Sequence, residues 1–325
     1  MLSRYARVNR GDTSEEIGLA ERMMADEAAV ASGSATKIAL LVLLGLLWAV
    51  RIAAIKAAGL SGVPVHVIVA VAALGIAVVF TALALARSEW PPVDRGLVGF
   101  YLLSGTFGFL APFALESAVA PHLPVFVFVV VIATMPILTL ILSILTGGER
   151  LAWRPVASVA LGFVGAVAIL WDTGRTGAAG GASPWWAAAA FGVPALYALN
   201  TVFVARRWPA RAGAVQVAHA QALIVGFAGV LGSLAAGTAG DLRLAALDLP
   251  ALGLIVVGEA LALLVYLRIT RDDGATWVSF ANYVSMIFAA AIGAAVFGDR
   301  ITALTVAAAL GIVASVTLYQ RRAAP

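Results

Sequence analysis

From Ile38 to Gln320 the chain repeats one pattern: an apolar run of roughly 20 residues, then a short break that carries charge, glycine and proline. A run of that length rises about 1.5 Å per residue as a helix and crosses a hydrocarbon core of about 30 Å. The pattern predicts ten such spans, over 38–58, 65–86, 97–119, 124–146, 153–171, 185–205, 215–236, 250–269, 276–298 and 302–320. Segments of about ten residues alternating apolar and polar positions, the mark of a membrane barrel, do not occur in the sequence. The predicted fold class is therefore all-α: a polytopic membrane protein with ten transmembrane helices.

Composition agrees with the pattern. Hydrophobic residues make up 62% of the chain and charged ones 12%, and the mean hydropathy is +1.00, whereas soluble chains carry about a quarter charged residues. With no cysteine, disulfides, thiolate metal sites and a thiol nucleophile are excluded.

The placement of the cations says more than the net charge of +4. Ten spans put both termini on one side. That side's segments hold 16 of the 21 Lys and Arg residues, among them Arg87, Arg95, Arg150, Arg206 and Arg268, while the opposite segments hold only Arg175, Arg243 and Arg300. Cytoplasmic loops are the ones rich in Lys and Arg, so both termini are expected in the cytoplasm, with the protein in the plasma (inner) membrane. Tryptophans cluster near the predicted span ends, as indole rings favour the interface; Trp48 lies deep instead. Residues 1–37 read as a cytoplasmic tail, with Thr13 to Glu16 as a capping box, and 321–325 as a second, short one.

The chain also carries an internal repeat. Glu149-Arg150 precedes a predicted helix containing Gly162, and Asp299-Arg300 precedes one containing Gly311, at an offset of about 150 residues. The same offset sets Trp48 over Tyr197 and Arg51 over Asn200. Five spans per repeat is an odd number, so the second half enters the membrane from the opposite side. Inverted repeats of this kind let two halves rock around a midplane site in secondary transporters. The predicted domains are a first five-helix repeat at 38–171, a Gly/Ala-rich outer linker at 172–184 and a second repeat at 185–320.

In these features the chain resembles the drug/metabolite transporter superfamily in its ten-helix form with two EamA-like domains. Members look like W-G-x-N-x-x-x-x-K in the first helix and carry a proline before a G-E-R junction between the fourth and fifth. Here Trp48 and Lys56 keep their spacing, and Pro136 precedes Gly148-Glu149-Arg150. Ala49 replaces the usual glycine, Arg51 stands where an uncharged residue is common, and Met286 occupies the position of Pro136 in the second half. The resemblance implies transport across the plasma membrane, in the direction of export.

Arg51 is the departure with the largest physical consequence. A central Arg or Lys costs roughly 2.5–3.5 kcal/mol on an insertion scale, and each Leu, Ile or Val returns only about 0.3–0.6. Lys56 lies near the outer end and can snorkel. Arg51 lies roughly 10 Å from that end, and a charge at such depth faces a bundle interior. Its candidate partner is Glu259, the lone deep acid of the eighth span. The pair reads either as a gate broken by substrate or proton, as two ends of a zwitterion site, or as a permanent packing ion pair.

Glu116 is placed to meet Lys56, with His66 and His122 at a similar level, while Asn200, Gln216, His219, Asn282 and Tyr283 form an inner polar group. The predicted substrate-binding residues are Trp48, Arg51, Lys56, Glu116, Tyr197, Asn200, Glu259, Asn282 and Tyr283. No catalytic residue, metal site or cofactor is expected, and no nucleic-acid partner. Pro112, Pro136 and Pro194 are expected to kink their helices; Ser158-Gly162 and Ala307-Gly311-Ser315 are read as packing ladders. The predicted function is alternating-access export of a small polar or amphipathic metabolite, such as an amino acid or organic anion. The alternatives are an intramembrane enzyme, for which no GxGD carboxylate pair, HExxH zinc helix or serine with a histidine base is found, and a lipid-handling or structural membrane protein; with no P-loop GxxxxGK(S/T), ATP drive would need another subunit.

Overall fold

The computed structural model describes residues 34–55, 57–112, 115, 119, 131–174, 184–297 and 302–320. The tail at 1–33 with its capping box, Lys56, Glu116, His122, most of the linker, the Asp299-Arg300 junction and the C-terminal tail lie outside them.

All regular structure among the described residues is helical. The helices are α1 (Ser34–Leu60), α2 (Val65–Arg87), α3 (Arg95–Gly105), α4 (Met135–Leu145), α5 (Trp153–Gly174), α6 (Pro184–Ala190), α7 (Gly192–Arg207), α8 (Ala214–Ala235), α9 (Leu249–Asp273), α10 (Ala275–Ser279), α11 (Ala281–Phe297) and α12 (Ala303–Gln320). A π turn, Thr106–Leu110, prolongs α3, and a 3-10 segment, Ala239–Asp248, precedes α9. Among the described residues, six helices or joined helix pairs are long and apolar enough to cross a bilayer: Ser34–Leu60, Val65–Arg87, Ala188–Arg207, Ala214–Ala235, Leu249–Asp273 and Ala275–Val296.

Local chemistry explains where the predicted spans are interrupted. Pro136 occupies the first turn of α4, where its missing N–H costs nothing. The chain turns just before it, with Thr134 Oγ1 donating to Val131 O at 2.6 Å. Pro194 follows a turn at Phe191 that separates α6 from α7, and Pro112 lies just beyond the π turn. The span at 276–298 is also broken, at Phe280 between α10 and α11, with no proline to announce it.

Asp94 is the N-cap of α3: its Oδ1 accepts from the Leu97 N–H at 2.9 Å. Asp94→Ala is expected to cost about 1 kcal/mol and Asp94→Asn a few tenths, read as melting temperatures of the purified protein.

Helices pack in a recurrent way. α5 lies along α12 and α2 along α8, α2 also meets α9, α3 meets α8, and α4 meets α7. α1 meets α11 at Gly45, where a Cβ would fall 2.6 Å from Val284 Cγ1. The α2–α8 crossing is similarly close, since a Cβ on Gly226 would fall 2.7 Å from that of Ala77. Small residues permit such approaches, and dispersion between the helices then holds them. The outer faces remain apolar: Val78, Leu85, Val164, Phe227 and Leu310 are all exposed.

Candidate functional site

Arg51 and Glu259 meet. Arg51 Nε stands 2.9 Å from Glu259 Oε1, with side chains 21% and 15% exposed. The pair lies between two apolar layers. One turn toward the C-terminal end of α1, Ala54 packs with Ala251, Leu252 and Ile255 of α9. One turn the other way, Trp48 packs against the cluster that contains Trp277, Phe280 and Tyr283. Two desolvated charges are tolerable there because each neutralises the other.

Glu259 belongs to a polar stripe. Tyr266 lies seven residues further along α9 and Asp273 seven beyond that, a spacing that keeps all three on one helix face, drifting by about 20° per step. Each is engaged by a different helix. Glu259 takes Arg51 of α1. Tyr266 meets α7: its hydroxyl lies 2.9 Å from Thr201 Oγ1 and accepts from Asn200 Nδ2 at 3.3 Å. Thr201 spends its own proton on Tyr197 O at 2.7 Å, so Tyr266 must donate to Thr201. Asp273, 7% exposed at its side chain, pairs with Lys37 of α1 at 2.8 Å.

Asn200 is 4% exposed, and its Oδ1 has no partner among the described residues. It fits because residue 108 is glycine: a Cβ there would lie 2.5 Å from Asn200 Nδ2. Gly108 sits within the π turn, a local widening of the helix that is frequent at functional sites.

At the Asp273 end of the stripe a cavity of about 760 Å³ opens between α1, α4, the α4–α5 turn, α7, α10 and α12, with Lys37, Glu149, Arg206, Asp273, Trp277 and Tyr319 in its wall. Glu149 ties three elements together. Its Oε2 accepts from Thr276 Oγ1 at 2.6 Å and its Oε1 from the Tyr319 hydroxyl at 2.8 Å. At the opposite end, Ser61 donates to Asp248 at 2.9 Å, and His66 Nε2 lies 2.9 Å from Asp241.

The other residues singled out from the sequence do not converge into one group. Tyr283 has no exposed surface, and its hydroxyl donates to Val159 O at 3.1 Å. Asn282 Nδ2 donates to Ser279 O and Met135 S, both at 3.1 Å. Gln216 Nε2 donates to Trp90 O at 3.0 Å. His219 is fully buried, its Nε2 3.2 Å from Thr81 Oγ1; since Thr81 donates to Ala77 O at 2.7 Å, the histidine proton is on Nε2. Tyr197 is half-buried on α7 beside Asn200. Tyr266, Thr201 and the Lys37–Asp273 pair were not among the sequence-derived candidates. The seven-residue spacing of Glu259, Tyr266 and Asp273 was the signal that could have found them.

Residues 35–171 match the model of the EamA-like transporter family. No curated protein matches the chain. Solved structures match in fold; one, titled only as the crystal structure of a protein, superposes with a TM-score of 0.73 at 19% sequence identity, covering 89% of this chain and 99% of that one. At that identity the likeness concerns the fold alone. Together with the long apolar helices, the family match makes this a multi-pass membrane protein.

Proposed function

We propose that this chain, which belongs through residues 35–171 to the EamA-like transporter family, is a secondary carrier that exports a small polar or amphipathic metabolite, such as an amino acid or organic anion, across the plasma membrane by alternating access. Ten spans form two inverted five-helix halves, 38–171 and 185–320, with both termini in the cytoplasm. The substrate carboxylate meets Arg51 once Glu259 lets go, and Trp48, Tyr197 and Asn200 line the path.

The observation that carries this reading is the Arg51–Glu259 pair set between the halves, together with its repeat-related counterpart. Shifting Arg51 forward and Glu259 back by about 150 residues lands on Asn200 and Gly108, which also touch each other. The helix contacts support the same relation. The shift exchanges α2–α9 with α8–α3 and α4–α7 with α11–α1, and maps α2–α8 and α5–α12 onto themselves. Contacts that exchange in this way are what an axis between two like halves produces. An uncompensated guanidinium inside a bilayer is costly, so an anion that displaces Glu259 finds a strong, ready partner.

The test is flux in proteoliposomes across a panel of amino acids and organic anions. The wild type is expected to move at least one class of carboxylate, and Arg51→Gln to lose that flux by 100-fold or more, on the order of 3 kcal/mol. Absence of flux for every solute, or unchanged flux in Arg51→Gln, would sink the reading.

A further inference from the structure

We propose that the cavity at the Asp273 end of the α9 stripe is a second, separate binding site for an organic anion with an apolar body, from which solute passes to Arg51. Its role as a loading vestibule rests on the carrier reading above; its existence as a site does not.

The wall has the chemistry for such a ligand. Arg150 and Arg206 both line the cavity, and neither makes an ion pair among the described residues. The two acids present are already satisfied. Lys37 neutralises Asp273 at 2.8 Å, and the Thr276 and Tyr319 hydroxyls hold the Glu149 carboxylate. The lining therefore keeps a surplus of positive charge.

The apolar part of the ligand has an aromatic wall. Trp277 and Tyr319 stack with centroids 5.9 Å apart and planes inclined by 18°, and Val202 and Ala205 also line the cavity. Arg150 and Arg206 are both exposed, so a carboxylate that enters the cavity meets their guanidinium groups while its apolar body rests on the aromatic wall.

Position links the cavity to the central pair. Its walls come from both halves of the chain, so a relative movement of the halves changes its shape. From Asp273 the polar face of α9 leads past Tyr266 to Glu259, about 21 Å along the helix axis.

The experiment uses the full-length protein in phosphatidylcholine nanodiscs and equilibrium dialysis with radiolabelled phenylacetate. The wild type is expected to bind phenylacetate saturably, with acetate and phenethylamine at least tenfold poorer competitors. Arg206→Gln and Arg150→Gln should each raise Kd about tenfold, as befits loss of a hydrogen bond to a charged group. Arg150 and Arg206 are both exposed, so both variants should stay folded, which a melting curve checks. Arg51→Gln should stop flux yet shift this Kd by no more than about twofold. No saturable binding, equal displacement by phenethylamine, loss of binding in Arg51→Gln, or an unchanged Kd in both wall variants overturns the site. Flux is read separately: intact Arg51-dependent flux without vestibule binding removes only this inference, and binding without any flux removes only the carrier reading.

Discussion

Glu259→Gln and Arg51→Met will each lower the melting temperature and stop flux, whereas the double variant Arg51→Met, Glu259→Met will recover the melting temperature and remain unable to transport. The reason lies in the asymmetry of buried ion pairs. Removing one partner leaves a desolvated charge without compensation and costs about 3–5 kcal/mol, while replacing both by apolar groups of similar volume is often close to neutral. Arg51 and Glu259 keep a little exposure, 21% and 15%, so a cost of about 2–4 kcal/mol is expected for each single change. Methionine suits both positions because it is flexible and fills irregular space. Thermal melts in nanodiscs and flux in proteoliposomes separate the two roles. A double variant that is both stable and active would reduce the pair to a packing device. One that is stable and silent assigns it to the transported solute or its coupled proton.

The same arithmetic explains why this pair was legible in the sequence. Apolar residues of the first span barely offset Arg51 and Lys56, so a partner was required, and Glu259 was the lone acid at matching depth. Segments such as 65–86 and 215–236 were equally plain, since continuous apolarity decides them; the helices found are Val65–Arg87 and Ala214–Ala235. At Pro136 the sequence called for a kink within the span 124–146, and the fold has a turn there with a new helix starting at Met135. The break at Phe280 was not legible, because Ser279-Phe280-Ala281 carries no residue that forbids a helix, and the interruption comes from packing among Trp277, Tyr283 and Tyr319. Tyr266 and Thr201 were hidden for a related reason: hydroxyls in an apolar run cost little and call for no explanation. Lys37 and Asp273 were hidden because charges at span ends are read as interfacial anchors, although in the fold they tie α1 to α9.

Gly162 and Gly311 occupy equivalent positions in the repeat, yet their alanine variants are expected to differ in sign. Gly162→Ala will destabilise the protein by about 1–3 kcal/mol, the usual cost of overpacking. Gly311→Ala will be neutral or stabilising by up to about 1 kcal/mol, the helix-propensity gain. A Cβ on Gly162 would run into the Tyr283 ring and come within 2.9 Å of Ser315 Oγ. The ring cannot step aside cheaply: it has no exposed surface, its hydroxyl is held by Val159 O at 3.1 Å, and it meets Phe280 edge-on at 5.8 Å. A Cβ on Gly311 meets nothing within 4 Å. Like sequence in the two halves thus does unlike work, since α5 turns its glycine into the α5–α12 crossing and α12 turns Ser315 there instead. Melting temperatures of the two variants decide the matter. Equal losses would mean that both glycines lie in the crossing, and that the packing of α5 on α12 is more symmetric than these contacts make it.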